Sequence, residues 1–376
     1  ELIPFDVDTG RLIPVADSDR KGSLSALRTI AAHAGWTEIP ADPDPPSWSL
    51  PDGGRVSFEP GGQIELSSAT APTASQLIRD LQCAVELMTV TFDRKGISLE
   101  AIGVDPYNDI DDVALQLHRP RYERMTRYFD SIGPSGARMM RQTASLQVNV
   151  ETGLHPYERW RFLNSLAPYV TAIFANSPVY AGRANGERSQ RAYLWRTLDP
   201  TRTGLPADTD DPASAYLRFA LGAGAMMYGG GPPYPSFAEW LRSGEPAVED
   251  WQVHLSTLFP EVRPRHYFEL RSADAVPPDQ LAAPIAFIAG LTYDDAANQA
   301  AADLLVAPDQ ALLETAGRAG LTDPAIRGKS IELTDIALTG CKALGEAYLS
   351  AADLDSAAEF FDRYTRQGRS PGDDWS

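Results

Sequence analysis

Basic side chains are in short supply in this chain. Thirty-three Lys and Arg stand against 51 Asp and Glu among 376 residues, a formal net charge of −18. A surface of that sign repels phosphate backbones and anionic headgroups, which argues against nucleic acid or a membrane as partner. Cysteine is scarcer still. Cys83 and Cys341, the only two, make neither a disulfide framework nor a cysteine zinc site, and the reducing cytoplasm is the expected location. Cys83 falls in LIRDLQCAVELM, where apolar positions recur at helical spacing, so it reads as a buried structural thiol. No run of about 18 uninterrupted apolar residues is present, so no transmembrane helix is expected. No signal-peptide pattern is visible. Familiar catalytic signatures are missing as well. Gly328-Lys329-Ser330 is like the tail of a phosphate-binding P-loop, but Asp323 stands where its first glycine belongs. The GGGPPYP loop lacks the flanking strand and helix of a dinucleotide fingerprint. There is no GxSxG and no HExxH, and the five histidines do not pair at metal-ligand spacing. His266 reads as a packed or capping residue.

What is present is a succession of short strands among long helices, the pattern of an α+β fold with an antiparallel sheet rather than a βαβ repeat. Strands are expected over 1–7, in RVSFEP and QIELSS around the turn Pro60-Gly61-Gly62, in ISLEAIGV, over 143–151 and over 265–274. Helices are expected over 23–36, with Ser23 a candidate N-cap, over 73–95, in RPRYERMTRYFDSI, over 156–175, and through most of 279–376. The Gly- and Arg-rich stretch 181–204 and the segment 228–235 read as irregular.

Three of the strands carry an unusual polar face. Side chains alternate across a strand, so Gln63, Glu65 and Ser67 share one face, as do Ser145, Gln147, Asn149 and Glu151, and Tyr267, Glu269 and Arg271. Any one of these is ordinary for a sheet wetted on one side. Together they offer carboxylates, amides and an arginine in place of the Lys and Thr of a plain solvent face. Hard cations prefer carboxylate oxygens, and the guanidinium fork suits phosphate.

The string Phe58-Glu59-Pro60-Gly61-Gly62-Gln63-Ile64-Glu65-Leu66-Ser67 resembles the EPGGQ-x-ELS segment of the plant-type glutamate–cysteine ligases and their bacterial relatives. Four further segments follow in that family's order: 139–151, 174–204, 263–274 and 364–375. The chain is also similar to the actinobacterial ligases that open ergothioneine biosynthesis. The resemblance implies a glutamine-synthetase-like fold, a curved antiparallel funnel with helices outside, and one catalytic domain over 1–376. It implies an ATP-dependent union of the γ-carboxylate of L-glutamate with the amine of L-cysteine through a γ-glutamyl phosphate, with Mg²⁺ (or Mn²⁺) as cofactor. Carried over by motif, Glu1, Glu59, Glu65 and Glu269 are implied metal ligands. Glu1 stands where the second member of the family's E-x-E pair belongs, the first member preceding the sequence. Glu269 and Arg271 are the implied catalytic pair, Arg271 being the phosphate-binding arginine. Gln147 and Asn149 would line the nucleotide and metal site, and Arg191 and Arg202 the glutamate site. Two rivals stand beside this reading: a ligase of the same fold with another amine acceptor, and a non-catalytic binding subunit. Oligomeric state has no signal in the sequence.

Overall fold

The computed structural model describes residues 1–16, 21–207, 209, 211–244 and 246–375. The fold is α+β. The first 100 residues hold β1 (Ile3–Asp6), β2 (Thr37–Ile39), β3 (Ser47–Ser49), β4 (Arg55–Phe58), β5 (Ile64–Ser67) and β6 (Ile97–Glu100). Next comes β7 (Ser145–Glu151), then the two-residue strands β8 (Val179–Tyr180), β9 (Arg183–Ala184), β10 (Thr203–Gly204) and β11 (Phe259–Pro260). The last two are β12 (Val262–Pro264) and β13 (Tyr267–Asp274).

The two larger antiparallel sheets among the described residues are β2-β3-β4-β5 and β12-β13-β7. The N-terminal residues bridge them. Leu2 and Ile64 exchange backbone hydrogen bonds of 2.9 and 2.8 Å, and the Glu1 nitrogen donates to Ser145 O at 3.1 Å. Glu1 is thereby laid between β5 and β7. In β13 the pairing with β7 shifts register between Leu270 and Ala273. Arg271 and Ser272 there oppose the single residue Gln147, a bulge that bends the strand and increases its twist.

Each sheet buries its apolar face. Phe268, Leu270 and Val150 pack with the helices Pro156–Ile173 and Ala282–Tyr293 in the main core. The second of these helices is apolar on all sides and buried almost throughout, the place of such a helix in a packed core. It crosses Pro324–Leu344 at contact distance through Gly290, where a Cβ would lie 2.1 Å from the carbonyl oxygen of Ala337. No helix among the described residues is long and apolar enough to cross a membrane.

Several local expectations need correction. Gly22, not Ser23, caps the first helix, and Ser23 is its buried first residue. Cys83 is exposed. The buried stripe of its helix runs through Ile78, Val85, Met88 and Phe92, and at 100° per residue Cys83 falls on the opposite side. The stretch 181–204 contains a helix, Gln190–Leu198, capped by Ser189, whose hydroxyl accepts from Ala192 N. Its buried residues Arg191, Leu194 and Leu198 are spaced as one helix face. His266 is exposed, with its ring edge-on to Tyr267.

Candidate active site

The β4–β5 turn is built to deliver two carboxylates to one place. A Cβ on Gly61 would lie 2.0 Å from the carbonyl oxygen of Arg141, so backbone packs on backbone there. Gly62, at φ +93°, takes the conformation that glycine alone adopts without strain. Gln63 braces the turn: its Oε1 accepts from the Gly61 N–H and its Nε2 donates to Thr143 O, both at 2.9 Å. Glu59 and Glu65 then face the space beside Glu1. One oxygen from each of these three carboxylates lies within 4.8 Å of the others.

Neutral donors orient this trio. Ser57 Oγ donates to Glu65 at 3.1 Å, while the Ser145 N–H and Gln147 Nε2 donate to Glu1 at 2.6 and 3.2 Å. Burial first, and then the charges of Glu65 and Glu1, push the Glu59 carboxyl well above its usual range. Burial and then Glu1 push Glu65 upward too. Crowded carboxylate oxygens that form no ion pair with a side chain among the described residues fit a hard divalent cation, whose charge would reverse those shifts.

The facing wall is cationic. Arg271 donates through Nη1 to Gln147 Oε1 at 3.0 Å and also to Glu269. Arg263 and Arg265 reach the same Glu269 carboxylate at 3.2 and 3.4 Å. Burial opposes the charge of Glu269, but Arg271, Arg263 and Arg265 outweigh it and hold the carboxyl below its usual value. Burial and then the charge of Arg271 push Arg263 down to about 9. Glu269 is therefore not a member of the carboxylate trio. Of the four implied metal ligands, Glu1, Glu59 and Glu65 stand together, and the inclusion of Glu269 with them is corrected, because three arginines hold it on their own side. Both walls line one cavity of about 260 Å³.

A family model described as Glutamate-cysteine ligase family 2 (GCS2) matches residues 5–375. The chain belongs to that family. Glutamate–cysteine ligase EgtA of Mycolicibacterium smegmatis is 34% identical to it over 346 residues, 87% of this chain and 78% of that protein. EgtA of Mycobacterium tuberculosis (strain H37Rv) is 32% identical over 371 residues, 90% and 82% of the two. The chloroplastic glutamate–cysteine ligase B of Oryza sativa subsp. japonica is 34% identical over 322 residues. That match covers 81% of this chain and 63% of the rice protein.

In this ligase the two expected glutamate-site arginines part company. Arg191 is 3% exposed and lines the cavity. Its Nη2 donates to Arg271 O at 2.7 Å, its Nη1 stands 3.9 Å from Asp274 Oδ1, and its guanidinium lies 5.5 Å from the Trp195 ring centroid. Arg202 has no exposed surface. It donates to Asp199 at 2.7 Å, to Thr257 O at 2.9 Å and to Gly224 O, over the face of Tyr128. It does not line the cavity, so its assignment to the glutamate site is corrected: its donors are spent on internal acceptors. Asn149 is exposed and borders a separate groove along β7, because the strand runs out of the cavity beyond Gln147. Gln147 does line it.

Sequence reasoning missed Arg121, Arg263, Arg265 and Trp195, all of which line the ligase's cavity. The Arg-x-Arg pair 263/265 stood in view two residues before β13. Its meaning depends on the cross-strand pairing of Arg263 with Glu269. Arg121 is one of four arginines in RPRYERMTR, and nothing local says which of them turns inward.

Proposed function

We propose that this ligase forms γ-glutamylcysteine from L-glutamate, L-cysteine and ATP through a γ-glutamyl phosphate. The observation that carries the reading is one cavity walled on one side by three carboxylates that have no ion pair among the described residues and on the other by arginines. A carboxylate is a poor electrophile, and phosphorylation supplies a leaving group. A γ-carboxylate oxygen of glutamate attacks the γ-phosphorus of ATP and ADP departs. The neutral amine of cysteine then attacks the acyl carbon and phosphate departs. Such chemistry needs positioning and charge neutralisation above all.

Glu1, Glu59 and Glu65 would hold Mg²⁺ (or Mn²⁺), which when bound neutralises charge on the triphosphate. Glu269 would join them only by exchanging arginine for the ion. Arg271 stabilises the charge of the transferring phosphoryl group. Gln147 bonds both Glu1 and Arg271 (3.2 and 3.0 Å) and keeps the two walls in register. Arg191 takes a carboxylate of glutamate. Within this reading the two sheets form the curved glutamine-synthetase-like surface, residues 1–376 act as one catalytic domain, and the enzyme works in the cytoplasm.

The test is phosphate release with ATP, Mg²⁺ and glutamate, scanned over amines. Stimulation by cysteine above all other amines is the expected result. Preference for another amine replaces the acceptor, and no release with any amine removes the enzymatic reading.

A further inference from the structure

Beneath Arg191 lies a buried polar cluster that the chemistry above does not use. At its centre is Asp274, the last residue of β13. Alternation alone would send Asp274 to the apolar side, opposite Glu269 and Arg271. The bulge at Arg271 and Ser272 adds one residue and reverses that parity. Ala273 therefore joins Leu270 in the core, and Asp274 pairs with Ser145 on the polar face. Oδ2 of the carboxylate accepts from the Asn176 N–H at 2.8 Å and from Ser177 Oγ at 2.7 Å, and Oδ1 accepts from Ser189 Oγ at 2.9 Å. A Cβ on Gly103 would lie 2.4 Å from the Asp274 Cγ, so the carboxylate has no room to swing. Arg191 Nη1, 3.9 Å from Oδ1, is its ion-pair partner.

The same two serines fix the backbone of Arg191. Ser189 Oγ caps the helix Gln190–Leu198 by accepting from the Ala192 N–H at 2.9 Å, and Ser177 Oγ accepts from the Arg191 N–H at 3.3 Å. Each hydroxyl thus takes a helix N–H and gives its proton to Asp274. On its other side the Arg191 fork is held through Nη2 by Arg271 O, the backbone of the arginine whose side chain serves phosphate.

We propose that Asp274 is the positioning residue of the glutamate site: it holds the Arg191 guanidinium at a fixed distance from the transferring phosphoryl group without touching substrate. This rests on the reading of Arg191 as the arginine that takes a carboxylate of glutamate, and deepens it by naming what sets the reach of that site. One substrate carboxylate sits on Arg191 and the other is phosphorylated beside Arg271, and β13 carries the anchors of both. A diacid must span that interval, and aspartate is one methylene short. An arginine released from Asp274 regains the rotamer freedom of its long side chain and can follow the shorter substrate.

The experiment measures KM and kcat/KM for L-glutamate and L-aspartate, and KM for ATP, with cysteine saturating. Asp274→Asn keeps the shape and removes the charge. Its KM for glutamate should rise by about tenfold, the scale of a weakened charge-assisted contact, with KM for ATP unchanged. Its glutamate-to-aspartate ratio of kcat/KM should fall by about fivefold or more, out of the roughly 10–200-fold that one methylene can supply. Adding Asp274→Asn to Arg191→Ala should change neither readout further, since a residue that acts only through Arg191 has nothing left to act on. Ser177→Ala, which takes one donor from the carboxylate, serves if Asp274→Asn does not fold and should shift the ratio in the same direction. A wild-type ratio in the folded variant, equal rises in KM for glutamate and ATP, or an effect that multiplies with Arg191→Ala makes Asp274 a packing residue and overturns the proposal. A wild-type glutamate KM in Arg191→Ala overturns the glutamate reading of Arg191 itself, and the proposal with it. That variant keeps Asp274, so this failure is told apart from the others.

Discussion

The two charged walls of the cavity solve opposite problems. On the arginine wall every guanidinium near Glu269 already has an anion: Arg263, Arg265 and Arg271 all converge on one carboxylate. On the carboxylate wall Glu1, Glu59 and Glu65 crowd together, and the groups that hydrogen-bond them among the described residues are neutral. The first wall shares one carboxylate among three guanidinium ions, and the charge of Arg271 pushes Arg263 down, so it gains from an anion that enters. The second gains from any cation that enters. Each wall is therefore expected to be stabilised by a ligand of the opposite sign.

The largest expected effect breaks the arginine wall without unbalancing it. Arg271→Lys keeps the charge beside Glu269 and loses the planar fork. Turnover should fall about 10³-fold, roughly 4 kcal/mol of transition-state stabilisation, while the melting temperature hardly moves. Near-normal kcat would make Arg271 a structural ion-pair partner only.

Arg202→Ala probes a buried arginine with no opening to the cavity. Removal leaves the Asp199 carboxylate buried beside Tyr128 without its cation, a loss of about 3 kcal/mol or more. Chemical denaturation should show it as a lower midpoint, and the folded fraction should keep its KM for glutamate. A glutamate KM raised in folded protein would return Arg202 to the binding site.

Arg191→Ala is the counterpart inside the cavity. The apparent KM for glutamate should rise by about tenfold or more, the scale of a lost charge-assisted contact, and more than that for ATP. Equal changes in both would mean that Arg191 supports the cavity without touching glutamate.

The smallest effect sharpens the carboxylate wall. Glu65 titrates above its ordinary value of 4.5 in the folded chain, as Glu59 does. A raised folded pKa means that protonation favours the fold: the contribution is fully present below the unfolded value and lost as pH rises through the folded one. Glu65→Gln removes this penalty. In metal-free buffer at pH 8 the variant should melt about 2 °C above the wild type, as expected for ~1 kcal/mol in a chain of this size. The gap should close as pH falls toward 5. Added Mg²⁺ should stabilise the wild type and do so less in the variant. A variant less stable than the wild type without metal would show that the trio is not under repulsion.

Much of the architecture was open to a reading of the chain, and the reason is local. Alternation in QIELSS, SLQVNVE and YFELRS fixes which side chains leave the sheet together, and the strands β5, β7 and β13 follow it. The Pro60-Gly61-Gly62 turn announces a hairpin because its backbone conformation and close packing exclude side chains. The Gln190–Leu198 helix was legible as well, from the spacing of Arg191, Leu194 and Leu198 after Ser189, but the density of Gly and Arg around it hid the pattern.

Sequence alone determined the chemistry that the sheet faces carry, since residue type and strand parity are properties of neighbouring positions. It could not determine which charges meet. Glu1 joins Glu59 and Glu65 because two residues at the N-terminus are laid between strands more than 80 residues apart. Glu269 is claimed by Arg263 because β12 folds back against β13. Arg191 and Arg202, eleven positions apart by number and alike in type, end on opposite sides of the same decision. One opens on the cavity and the other is sealed among backbone carbonyls. Burial and partnership are set by contacts between distant segments, and only tertiary packing chooses those.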